Sequence, residues 1–135
     1  LLGLHLFRTK ARCMTCHSGA LLTDQQFHNL GLAFYGRKKY EDLGRYLLTG
    51  DAQDVGKFRT PSLRGVAQSG PWMHNGLFPQ LTGVLNMYNA GMSRPAPRNA
   101  EEAQDPKFPV TSPLLQRLQL TPGEITALKS FLEVL

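Results

Sequence analysis

The sequence predicts an all-α domain of short helices, and three observations predict it. The first is the run Cys13-Met14-Thr15-Cys16-His17 near the start of the chain. The second is apolar spacing at a helical period at both ends of the chain. The third is the absence of any alternating stretch long enough to read as a strand. C-x-x-C-H is the attachment site of a c-type haem. Each thiol adds across one haem vinyl group, and the imidazole of His17 is then offered to the iron from the proximal side. A zinc site built on C-x-x-C needs a second pair of ligands, and the chain has 2 cysteines in all. A thioredoxin-like redox pair stands beside a βαβ pattern, and none is visible. The expected fold is therefore helices wrapped around one covalently bound haem c.

The chain has 135 residues, enough for a single domain over positions 1–135. A hydrophobic fraction of 41% is low for a large core, and a buried macrocycle would add apolar bulk. The formal charge of +5 is read as surface bias that steers an acidic electron-transfer partner. Basic residues are not interleaved with aromatics, which argues against nucleic acid. No stretch approaches about 18 consecutive apolar residues, so no transmembrane segment is expected. Leu1–Phe7 has neither a charged n-region nor a cleavage site. Haem is attached to such motifs outside the cytoplasm, so the chain is expected to be mature or truncated, and its start inside an expected helix favours truncation.

In chain order, Leu1–Lys10 reads as a short helix carrying Leu2, Leu6 and Phe7. Arg8, Lys10 and Arg12 fall near its C-terminal end, where they complement the helix dipole. They are either solvated charge or a docking rim at the haem edge. After the motif, Phe27, Leu30 and Leu32 are candidate haem-wall residues, and His28 reads as a hydrogen-bonded structural residue. A short helix is expected over Tyr40–Leu48, ended by Gly50, then a polar loop from Asp51 to Lys57. In Phe58-Arg59-Thr60-Pro61-Ser62-Leu63-Arg64 the Thr-Pro step imposes an extended residue. Arg59 and Arg64 are candidates to pair with haem propionates. Ser69–Gly76 has the composition of a covering loop. A helix is expected from near Thr82 to Asn89, with Gly91 as its cap. Met92–Pro113, with five prolines, reads as a long surface excursion. Thr121-Pro122-Gly123-Glu124 is a capping box. It opens a last helix whose face is Ile125, Leu128, Leu132 and Leu135, widened by Phe131. This helix is expected to cross the first one.

Three segments, in order, resemble the C-terminal half of the bacterial dihaem cytochrome c peroxidase and MauG-like family. They are Cys13–His17, Phe58–Arg64 and Trp72-Met73-His74-Asn75-Gly76, supported by the terminal Leu120–Glu124 and Phe131-Leu132. The resemblance implies a cytochrome c-like fold and an electron-transfer haem. That haem would take electrons from a small cytochrome, a cupredoxin or a quinol. It would pass them to a peroxidatic haem, where hydrogen peroxide is reduced to water, in an N-terminal domain outside this chain. No catalytic residue for peroxide cleavage is then expected here. A junction calcium would map onto the carbonyls of Ser69 and Pro71. Two departures point to a divergent branch: Asn75 where peroxidases commonly carry Asp, and the length of Met92–Pro113. Oxidation of a partner protein and a free-standing monohaem electron carrier are the alternative functions.

The sixth iron ligand is expected from Met73, His74, Met87, Tyr88 or Met92. Met87 and Tyr88 point about 100° apart on a helix, so one of them at most faces the ring. Along the family pattern, the position that is methionine in ordinary peroxidases falls on Tyr88, and the protein-oxidising relatives have tyrosine there. The resemblance thus favours Tyr88, then Met87, then Met92.

Overall fold

The computed structural model describes residues 1–135. In chain order it contains α1 (Leu2–Arg8), β1 (Phe27–Asn29), α2 (Tyr46–Thr49), β2 (Lys57–Arg59), α3 (Leu81–Asn89), α4 (Ala100–Gln104) and α5 (Pro122–Leu132), with three single turns of 3-10 helix. The chain divides into two compact units. The first takes Leu1–Gln26, Thr60–Gly91 and Gln116–Leu135; the second takes Phe27–Arg59 and Met92–Leu115.

The first unit holds one apolar core. Leu6, Phe7, Ala11, Val66, Leu81, Val84, Leu85, Leu120, Ile125, Leu128 and Leu132 are buried together. The α1–α5 crossing anticipated from the two apolar faces is present. The Phe7 and Phe131 rings meet edge to face, with centroids 5.3 Å apart, a geometry the ring quadrupoles favour. Gly3 makes the close approach feasible: a Cβ there would lie 2.2 Å from the carbonyl oxygen of Ala127. The start of α5 follows the capping box. The Thr121 hydroxyl accepts from the Glu124 amide (3.3 Å), and Glu124 accepts from the Thr121 amide (2.8 Å). The Lys10 ammonium, 2.7 Å from the Glu124 carboxylate, helps hold its pKa below the usual range.

The second unit overturns the all-α expectation. β1 and β2 form an antiparallel two-stranded sheet with Phe27 opposite Arg59, His28 opposite Phe58 and Asn29 opposite Lys57. Helical residues of all kinds make up 33% of the chain. Three-residue strands are too short to display a period of two, and their pairing is set by partners about 30 positions away. The helix expected over Tyr40–Leu48 shrinks to Tyr46–Thr49, where Gly50 ends it with φ 68° in the left-handed region. The excursion from Met92 to Pro113 is not wholly superficial. It contains α4, and Met92, Pro109 and Thr111 are buried. Polar pins explain how a proline-rich stretch holds a shape. The Asn29 amide donates to the Val110 carbonyl (3.0 Å), the Ser112 amide to the Asn29 carbonyl (2.8 Å), and the Thr111 hydroxyl to the Ser93 carbonyl (2.6 Å). Tyr35 donates its hydroxyl to Asp105, which pushes the phenol up to about 12 and holds the carboxyl down.

Candidate functional site

The site is built in the first unit, where α1 stops. The Ala11 amide reaches back to the Leu6 carbonyl and the Arg12 amide to the Thr9 carbonyl, both at 2.9 Å. Arg12 then adopts φ 55° and the chain reverses into a single 3-10 turn, Cys13–Thr15. Side chains three residues apart eclipse one another on such a turn. The two half-buried thiols of Cys13 and Cys16 therefore lie on one side, as two bonds to one macrocycle require. Burial pushes the Cys13 thiol up to about 12. Burial, then the charge of Asp24, raises Cys16. A redox-active dithiol needs the opposite, a depressed thiol pKa.

The His17 amide donates to the Cys13 carbonyl at 2.8 Å, which fixes the ring directly after the second cysteine. Its Nδ1 lies 3.1 Å from the carbonyl oxygen of Leu22. A carbonyl can only accept, so Nδ1 carries the proton and Nε2 the lone pair. That is the tautomer of an axial ligand. The loop that supplies this carbonyl is tied to the motif by Thr23 amide to Ser18 carbonyl (3.0 Å) and Asp24 amide to Cys16 carbonyl (2.7 Å).

Half-buried apolar side chains border the core of this unit. Cys13, Leu63, Trp72, Met73, Phe78 and Tyr88 all pack against the core cluster. Trp72 Nε1 donates to the Val66 carbonyl (2.9 Å), so the indole is satisfied as well as packed. Tyr88, on α3, has its phenol pushed well above the ordinary range by burial and then by the adjacent Cys13 and Cys16 sulfurs. Met87 is half-buried on the same helix. Asn75 accepts from the Leu77 amide (3.2 Å) and so closes the turn after His74. An amide oxygen serves there as well as a carboxylate would.

The expected site residues thus separate. Cys13, Cys16, His17 and Tyr88 come together in the first unit. Arg64, also in that unit, spends its fork on the protein: its Nε and Nη2 both donate to the Ala20 carbonyl. Phe27 and Arg59 face each other across the hairpin of the second unit, and the Arg45 guanidinium stands 4.1 Å over the Phe27 ring. Met92 is buried in that unit. Ser69 and Pro71 lie on an exposed loop, where the Ser69 hydroxyl donates to the Val66 carbonyl (3.0 Å). Sequence reasoning missed Thr60 and Ser62. The Thr23 hydroxyl donates to the Thr60 carbonyl, and the Ser62 hydroxyl to the Leu21 carbonyl, each at 2.6 Å. Only the Thr-Pro-Ser composition could have hinted at them, because their partners are about 40 positions away. Two thiols on one side, an imidazole with its Nε2 lone pair, and apolar walls are a donor set that fits a c-type haem.

Comparison with known proteins supports the same family. No protein-family model matches the chain. Cytochrome-c peroxidase IdrP1 of Pseudomonas sp. (strain SCT) is 32% identical over 90% of this chain and 43% of its own length. Methylamine utilization protein MauG of Methylorubrum extorquens is 39% identical over 70% of this chain and 26% of its own. A crystal structure of a MauG-like protein associated with microbial copper homeostasis superposes with TM-score 0.80 at 32% identity, over 99% of this chain and 45% of that one. The chain spans less than half the length of each of these relatives. Its motif, its core and these likenesses agree: the chain belongs to the cytochrome-c peroxidase and MauG family of oxidoreductases.

Proposed function

We propose that this chain is the electron-transfer haem c domain of a periplasmic cytochrome c peroxidase. Its partner domain would carry the peroxidatic haem, where hydrogen peroxide is reduced to water. The observation that carries the reading is the single arrangement of Cys13, Cys16 and His17, with the Nδ1 proton of His17 held on the Leu22 carbonyl. Bound there, a haem would supply a one-electron couple. The chain's own residues do the rest. Cys13 and Cys16 anchor it covalently, and His17 is aimed by its second-shell bond. Leu63, Trp72 and Phe78 exclude water. A calcium ion at Ser69 and Pro71 completes the proposal.

The test is peroxide consumption by the haem-loaded protein that contains this chain, with a reduced small cytochrome, a cupredoxin or a quinol as donor. Turnover with at least one donor is expected. No turnover with any of them would reject the peroxidase reading.

Tyr88 favours a second reading, oxidation of a partner protein in the manner of the MauG-like relatives. Of the two neighbours on α3, Tyr88 is the one that packs against the core and whose phenol feels the charges of Cys13 and Cys16, so we assign it the sixth position ahead of Met87. An anionic phenolate there would favour ferric and higher states, whereas a thioether would raise the potential. Ferric spectra should change in Tyr88→Phe and stay unchanged in Met87→Leu. A methionine–iron charge-transfer band lost only in Met87→Leu would reverse the assignment.

A further inference from the structure

We infer that Thr60, Ser62 and Arg64 are positioning residues that act on the iron through the loop after the haem motif. Together they hold Ala20–Thr23 so that the Leu22 carbonyl fixes the orientation and basicity of the His17 imidazole. The inference rests on His17 being the proximal ligand.

Three residues two positions apart meet the loop in antiparallel order. The Thr60 carbonyl accepts from the Thr23 hydroxyl (2.6 Å), the Ser62 hydroxyl donates to the Leu21 carbonyl (2.6 Å), and Arg64 donates twice to the Ala20 carbonyl. Alternate residues of an extended segment share a face, and the Thr60-Pro61 step biases this segment towards extension. The ladder is made without a strand, since side chains supply all of its donors.

What the ladder holds is a strained residue. Leu22 sits at φ 53°, a left-handed conformation unfavourable for a side chain with a Cβ and sustained only where the surroundings over-determine it. Its own carbonyl is the one facing His17 Nδ1 at 3.1 Å. Relaxing Leu22 would swing that carbonyl away. A ligating histidine that donates its other N–H to a carbonyl is more basic and is fixed in orientation. Loss of the bond therefore weakens donation to iron and disfavours the ferric state.

Ser62→Ala is the sharpest test, because it changes no charge and removes one rung. In the haem-loaded protein, its midpoint potential should rise. The haem-methyl shifts in the ferric proton spectrum, which report the imidazole plane, should change pattern. Arg64→Lys keeps the charge but loses the two-pronged contact, and should move both readouts in the same direction. Arg64→Gln also removes a positive charge, which by itself lowers the potential, so its net shift should be smaller than that of Arg64→Lys. Glu133→Gln, at an exposed position just after α5, should leave the haem-methyl pattern unchanged. If Ser62→Ala and Arg64→Lys both retain haem with unaltered potential and methyl pattern, the clamp is refuted while His17 stands as ligand. A wild-type protein without covalent haem would overturn the ligand reading and the clamp with it.

Discussion

Cys13→Ala combined with Cys16→Ala should yield a protein that releases its haem completely on denaturation. The wild-type chain should keep the mass of one haem under the same conditions. The expected effect is all or none, because thioether bonds survive unfolding and the bond from His17 to iron does not. The single variants should retain haem through one thioether, since each thiol bonds a different vinyl group. The geometry behind this is the 3-10 turn at Cys13–Thr15, which brings both sulfurs to one side. Mass spectrometry of the denatured proteins reads the result directly. Full haem mass in the double variant would end the attachment argument.

Leu128→Ala should produce the largest loss of stability available from a single side chain in the first unit. Leu128 is 1% exposed, the most buried large side chain in the chain. It lies on α5 within the cluster that also holds Leu6, Phe7 and Leu85. Large-to-small changes in such a place cost about 2–5 kcal/mol, a transfer cost plus a cavity cost. The upper part of that range is expected here. Gly3 lets the backbones approach within reach of Ala127 and Phe131, and a rigid crossing collapses poorly around a void. Denaturant unfolding of the haem-loaded protein measures it, as a lower midpoint at unchanged slope. A change under about 0.5 kcal/mol, the size usual at exposed sites, would put this face of α5 in solvent.

These two predictions rest on features that local chemistry writes into the chain. Cys13, Cys16 and His17 need only five consecutive positions to declare a haem site. The start of α5 is equally local: Thr121 and Glu124 satisfy each other's amides, and Pro122 enters the helix where no amide is required. The helical repeat of Ile125, Leu128 and Leu132 says which face is apolar. The matching face of α1 is then its natural cover, so the crossing was legible before any coordinates.

Tertiary structure alone decided the rest. The hairpin of β1 and β2 depends on pairs such as His28 opposite Phe58, which no window along the chain contains. Its existence is why an all-α reading of 135 residues was wrong. The partner of Arg64 within the protein was hidden in the same way. Its Nε and Nη2 both donate to the Ala20 carbonyl, an acceptor 44 positions away that only the fold brings near. Leu22, an ordinary apolar residue by sequence, faces His17 with its carbonyl from a loop that donates to Thr60 and accepts from Ser62 and Arg64. Covalent chemistry and helix periodicity act between near neighbours and can be read from the chain. Hydrogen bonds between loops are made between residues that meet only after the helices have packed.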